Sequence, residues 1–266
     1  MRRLSTWVAV VLALAAPACG GDDAADVPDG LRVEAMTVAS RAVDRDMPVK
    51  VVLPEGEARD RPLLVFLHGR GNDESSSLRD PLFDALEQLG PDAPVVAFPD
   101  GADDKYWHDR ASGDWGTYVV DEVIPQVARR FGADARRVAI GGISMGGFGA
   151  LHLARLHPDR FCAAGGHSPA LWRTSGETAP GAFDDAEDFA RHDVVASAPA
   201  LRGVRLWMDT GDADPFRPGI DAFAAALRAA GARATIHVWP GGHDRDYWDA
   251  HWPAYLRFYA RALADC

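Results

Sequence analysis

The chain has 266 residues, 47% hydrophobic and 25% charged, with 26 Gly and 18 Pro, a balance that excludes disorder, collagen and coiled coil. Its 28 basic residues, all Arg except Lys50 and Lys105, face 39 acidic ones for a net charge of −11. That charge argues against a nucleic-acid phosphate surface and for a small or neutral partner.

The first 19 residues differ from the rest. Arg2 and Arg3 form a basic start, residues 7–16 are an uninterrupted run of ten apolar residues, and Pro17, Ala18 and Cys19 precede a polar stretch, the pattern of an export signal. Ten apolar residues fall short of the roughly 20 that span a bilayer core of ~30 Å. The small residues before Cys19 resemble a bacterial lipobox, in which that cysteine is lipidated and begins the mature protein. Ala16 stands where Leu is usual, so plain secretion after Ala18 is the alternative. Removing residues 1–18 takes two basic residues and leaves 248 residues at a net charge of −13. Residues 19–30 read as a flexible tether and 31–266 as one large domain.

Beyond the tether, residues 33–39 and 49–53 alternate apolar with polar residues, which predicts two antiparallel strands with one exposed face. Residues 63–67 and 95–98 are continuous apolar runs that end in turn residues, the look of strands buried on both faces of a parallel sheet. Helices are expected between them. A helix over 117–131 is kinked at Pro125, a strand covers 138–142, and a helix over 146–157 stops at Pro158. Strands at 161–165, 204–209 and 234–239 follow, with helices at 220–230, ended by Gly231, and 249–264. Residues 170–200 lack a strong period and read as a short lid or rim. This order predicts an open, doubly wound, mostly parallel sheet of about eight strands, with any ligand beyond the strand carboxyl ends.

Gly142-Ile143-Ser144-Met145-Gly146 lies between an apolar strand and a helix. Glycines on both sides allow a strained turn that presents the Ser144 hydroxyl at the top of the sheet. The small residues Gly141, Gly147, Gly149 and Ala150 suit close approach of that helix to its strand. A serine hydroxyl is a weak nucleophile and needs a base, itself held in one tautomer by an acid. His243 fits the base, in a glycine-rich turn after the 234–239 strand. His152 and His157 read as packing or surface residues, and His192, His237 and His251 have no motif around them. Asp209, Asp212 and Asp214 all follow the strand at 204–208, and each is an acid candidate.

With these motifs the chain resembles the α/β-hydrolase superfamily, and within it a secreted esterase family that includes carboxylesterases, feruloyl esterases and mycolyltransferases. The resemblance runs from about Val33 to Ala264. It rests on Leu67-His68-Gly69, Asp114-Trp115-Gly116-Thr117-Tyr118, the serine turn, Thr210-Gly211-Asp212-Ala213-Asp214 and Gly241-Gly242-His243-Asp244. It implies Asp214 as the acid, through a Gly-x-x-Asp pattern, and backbone amides of Met145 and Arg70 as the oxyanion donors, with Gly71 the alternative to Arg70. His68 is implied to support that loop.

Trp107 and Trp248 are the candidate walls of a substrate pocket, with His108, Trp172 and Tyr247 nearby in the motif order. His167 and Ser168 sit at a strand end close to the site without an assigned chemistry. Cys162 reads as a small buried hydrophobe and Cys266 as an exposed terminus, and a bridge between them is left open. No Cys or His spacing along the chain suits a metal and no glycine-rich phosphate cradle occurs, so no cofactor is expected. The reading is an exported, lipid-anchored serine carboxylesterase acting on a small-molecule or cell-envelope ester. Feruloyl esterase and polyhydroxyalkanoate depolymerase are narrower versions of it. An acyltransferase using the same triad is the rival within enzymes, and a catalytically silent binding lipoprotein the rival outside them.

Overall fold

The computed structural model describes residues 26–56 and 59–266. The export segment, Cys19 and most of the tether expected from the sequence lie outside the described residues. Strands β1 (Leu31–Ser40) and β2 (Arg45–Pro54) pair antiparallel, Leu31 opposite Pro54 and Ser40 opposite Arg45. Strand β3 (Pro62–Leu67) leads to helix α1 (Asp80–Leu89), which starts on Pro81 and buries Leu82, Phe83, Ala85 and Leu86. After β4 (Val95–Pro99), a two-rung hairpin of β5 (Asp109–Arg110) and β6 (Gly113–Asp114) precedes a helical stretch.

That stretch is α2 (Trp115–Thr117), a turn of π-helix (Tyr118–Val123) and α3 (Ile124–Phe131). The irregularity expected at Pro125 therefore falls in the turn before it. Pro125 has no amide to give the preceding ladder, and the Ile124 amide bonds the Val119 carbonyl, five residues back. Strand β7 (Asp134–Ile143), helix α4 (Met145–Leu156) and strand β8 (Ala163–His167) form the centre. Residues 170–200 hold a seven-residue helix, α5 (Ala186–His192), capped by the Asp185 carboxylate. This rim is anchored by buried Ala170, Leu171, Ala182, Phe189 and Val194. Strand β9 (Arg205–Gly211), helix α6 (Arg217–Ala230), strand β10 (Ala234–Trp239) and helix α7 (Arg245–Ala264) complete the chain, α6 ending on left-handed Gly231.

The eight long strands form one sheet in the order β1-β2-β4-β3-β7-β8-β9-β10. The β1–β2 and β2–β4 pairs are antiparallel; from β4 across to β10 every neighbouring pair in this order is parallel. Side chains of β3 divide by the period of two: Leu63, Val65 and Leu67 enter the core shared with α3, α4 and α6, while Leu64 and Phe66 enter the one shared with α1 and α7. Burial on both faces explains the unbroken apolar runs in the sequence. Each of these side chains contributes roughly 1.5–3 kcal/mol by leaving water.

Cys162, just before β8, is bridged to Cys266, with Cα atoms 5.7 Å apart. The bond fastens the end of α7 to the centre of the sheet across 104 residues. Among the described residues no helix is long and apolar enough to cross a membrane.

Candidate active site

Ser144 occupies the turn from β7 into α4 with φ 54°, a left-handed value that a residue with a side chain adopts only where its surroundings impose it. The surroundings are tight. A Cβ on Gly142 would stand 2.4 Å from the Gly146 carbonyl carbon, and one on Gly146 would stand 2.0 Å from the Leu67 carbonyl oxygen. Glycine at both positions is thus required for helix, serine and β3 to meet. The Ser144 amide donates to the His167 carbonyl (3.0 Å), and the Ser144 carbonyl accepts from the amides of Phe148 (3.0 Å) and Ala170 (2.9 Å). Gly141 and Gly149 serve different ends from the helix approach expected of them. Their missing side chains leave room for the Tyr259 hydroxyl and the Trp107 ring.

His243 lies in the turn between β10 and α7, whose N-terminus is capped by the neighbouring Asp244 carboxylate. Its Nε2 stands 2.9 Å from Ser144 Oγ and its Nδ1 3.0 Å from Asp214 Oδ2. The Asp214 side chain is fully buried in the loop between β9 and α6, and its other oxygen accepts the Phe216 amide at 2.8 Å. Burial pushes the Asp214 pKa up, but the His243 bond and charge and the Phe216 amide outweigh this and hold it below the ordinary carboxylate value.

The other acid candidates point elsewhere. Asp212 accepts the Gly241 amide at 3.0 Å, bracing the His243 turn. Asp209 is fully buried on β9. One of its oxygens meets His167 Nδ1 (2.7 Å) and the Trp207 indole N–H (2.7 Å), the other the hydroxyls of Tyr247 (3.0 Å) and Tyr255 (2.8 Å). His167 continues to the Tyr259 hydroxyl at 2.9 Å. Burial, and then the Asp209 charge, push the Tyr247 and Tyr255 phenols up, so both remain donors.

The loop after β3 passes beside the serine, with the Cβ position of Gly69 3.5 Å from Ser144 Cβ. The Gly71 amide donates to the Asp103 carbonyl at 2.9 Å, whereas the Arg70 and Met145 amides have no acceptor among the described residues. Met145 follows Ser144 directly in the chain, and Arg70 follows Gly69, whose Cβ position is beside the serine. The Arg70 guanidinium donates to the Pro180 carbonyl at 3.0 Å, tying the loop to the rim. His68 is buried and clamps the loop: its Nδ1 is 2.8 Å from the Gly69 carbonyl, and its Nε2 accepts the Gly101 amide at 2.9 Å.

Trp107 corrects the sequence expectation. It is fully buried, donates from Nε1 to the His68 carbonyl at 3.3 Å and fills the spaces left by Gly101 and Gly149, so it supports the loop from behind and has no face toward a substrate. Trp248 stands at the site, its ring edge-on to His243 at 5.1 Å, and with His68, Gly69 and Ile143 it lines a cavity of about 40 Å³. Trp172 is buried in the rim and packs on Phe216, which in turn packs on His243. A larger cavity, about 870 Å³, lies along β9, β10 and α7 and includes none of these groups; the chemistry at Ser144 outweighs its size.

One grouping is invisible in linear spacing. His108, Asp188 and His192 each bring a donor atom within 4.8 Å of the other two, although no metal spacing is evident along the chain. Burial first, and then the facing His192, pull the His108 pKa down to about 4, against the opposing pull of Asp188.

A mostly parallel sheet with a serine in the tight turn from strand to helix, a histidine after the last strand and an aspartate after the preceding one matches the α/β-hydrolase fold, in the class of hydrolases that act on esters. The chain belongs to the esterase family described as "Putative esterase", whose model matches residues 40–259. It is 27% identical to the diacylglycerol acyltransferase/mycolyltransferase Ag85A of Mycobacterium ulcerans, over 83% of this chain and 79% of that one. It is also 32% identical to the iron(III) salmochelin esterase of Escherichia coli, but over 44% of this chain and only 29% of that protein's length. Among solved structures, a ferulic acid esterase superposes with a TM-score of 0.78 at 23% identity, covering 87% of this chain and 98% of its own.

Proposed function

We propose that the chain is an exported serine carboxylesterase working through a covalent acyl-enzyme. The observation that carries this reading is the continuous relay from Ser144 Oγ through both nitrogens of His243 to Asp214, next to two unoccupied amides. Ser144 Oγ attacks the ester carbonyl carbon while His243 Nε2 takes its proton. The ionised Asp214 holds the Nδ1 proton and stabilises the imidazolium. The Met145 and Arg70 amides receive the oxyanion, and such donors are worth roughly 3–4 kcal/mol each in related chemistry. His243 then protonates the leaving alcohol, and water, activated by the same histidine, releases the acid and restores Ser144.

Export is supported by the basic and apolar N-terminal segment and by the Cys162–Cys266 bridge, since disulfides persist in oxidising compartments. Cys19 is the proposed lipidation site, with membrane contact through that lipid.

The likeness to a mycolyltransferase over most of the chain favours one second reading, in which the acyl group passes to a sugar hydroxyl instead of water. Product analysis with a panel of acyl esters, with and without a sugar acceptor, separates the two. Free acid at a rate unaffected by the acceptor supports the esterase; acylated sugar displacing free acid supports the transferase. Turnover of none of the esters by the folded protein contradicts both.

A further inference from the structure

We propose that His108, Asp188 and His192 bind a single zinc ion that fastens the rim of the cleft to the core. His108 comes from the loop before β5, and Asp188 and His192 lie on successive turns of α5. His108 Nε2 stands 3.2 Å from Asp188 Oδ2, close to the ~3.3 Å that bonds of about 2.0–2.1 Å in a tetrahedral zinc site set between donors. The third donor lies within 4.8 Å of both, and a turn of the His192 side chain at the open end of α5 closes the remainder. Two imidazoles and one carboxylate are a borderline-soft set that suits zinc and leaves a fourth position for water.

The surroundings are those of a built site. The His108 and Asp188 side chains are 0% and 1% exposed. His192 Nδ1 is 2.8 Å from the Asp188 carbonyl oxygen and 3.1 Å from its Oδ1, so this nitrogen already faces the carboxylate. Asp188 is oriented in turn by the Asp184 amide at 2.9 Å and by Arg191 at 3.2 Å. A third imidazole, His152, has its ring centre 5.0 Å from that of His192. A partly open cavity of about 120 Å³, lined by Asp109, His152, His157 and His192, adjoins the cluster, giving an ion a route from solvent and a water ligand room.

The consequence reaches the catalytic histidine through packing. Phe183 stacks on His108 at 5.1 Å and meets Trp172 at 5.9 Å; Trp172 meets Phe216 at 5.6 Å, and Phe216 meets His243 at 4.9 Å. A metal joining α5 to the 108 loop stiffens the wall that this chain of rings forms. It takes no part in the chemical step, so its test is independent of the esterase reading.

The test is zinc titration of the full chain after treatment with chelator, followed by calorimetry and elemental analysis, with cobalt(II) as a spectroscopic probe. The expected result is about one equivalent per chain, a thermal midpoint several degrees higher with zinc in excess, and visible cobalt absorption of a tetrahedral site. His192→Ala, at a half-buried position, loses the equivalent and the midpoint shift. Zinc uptake absent from the folded wild type, a cobalt spectrum without tetrahedral bands, or uptake unchanged in His192→Ala would overturn the site. Uptake that disappears only with Cys19→Ser would also overturn it, placing the metal on a thiol.

Discussion

The Gly71 amide is closed off by the Asp103 carbonyl, 2.9 Å away. The neighbouring Arg70 amide has no acceptor among the described residues. Arg70 acts in this account through its backbone, which any L-residue supplies, while its side chain only bonds the Pro180 carbonyl. Arg70→Ala is expected to keep kcat within about tenfold of wild type. A loss of 10²–10³, the size of a missing oxyanion donor, would reassign the role to the guanidinium.

Two buried aspartates on one strand-and-loop segment are expected to fail differently. Asp214→Asn leaves fold and labelling geometry in place and lowers kcat by about 10³–10⁴, because the imidazole loses its fixed tautomer. Asp209→Asn disturbs four hydrogen bonds in a dry cluster and is expected to cost roughly 3 kcal/mol of stability. Denaturation and kinetics of both variants separate the roles. The folded pKa of Asp214 lies below its unfolded value of 3.8, so its contribution to stability is fully present above pH 3.8. It is lost as pH falls through the folded value. The stability gap between wild type and Asp214→Asn therefore holds from pH 8 to pH 5 and narrows below 3.8.

Trp107 and Trp248 supply a second contrast. Trp107→Ala opens a cavity behind the loop and is expected to cost about 3–5 kcal/mol. Trp248→Ala, at a half-buried ring beside His243, is expected to cost less than about 1.5 kcal/mol and to change KM across an acyl-length series. Chemical denaturation and a substrate panel read the two effects.

Replacing Cys162 and Cys266 with serine frees a loop of 104 residues. In the chain-entropy account this lowers stability by roughly 3–5 kcal/mol, and treatment of the wild type with reductant is expected to do the same. An unchanged denaturation midpoint after complete reduction would contradict it.

The Ser144 turn is legible in the sequence because its constraints are local: Gly142 and Gly146 stand two residues either side of Ser144, and nothing larger fits. Strand burial is legible for the same reason, through unbroken apolar runs. The candidate acid is legible only through the Gly-x-x-Asp pattern of the resemblance, which points to Asp214, since Asp209, Asp212 and Asp214 share one short segment and differ only in which way the chain has turned. Trp107 misleads because its burial is decided by Gly101 and Gly149, the latter 42 positions away in the chain. Helix α5 has seven residues, too few for a period to show. The His108–Asp188 contact spans 80 positions and leaves no spacing motif.

The central claim is that Ser144 is the nucleophile, and fluorophosphonate labelling beside p-nitrophenyl ester hydrolysis, wild type against Ser144→Ala, tests it most directly. Wild type should label and turn over, and the variant, folded to the same thermal midpoint within a few degrees, should take no label and lose about four to six orders of magnitude in kcat/KM. Labelling or turnover that persists in the folded Ser144→Ala protein would contradict the account.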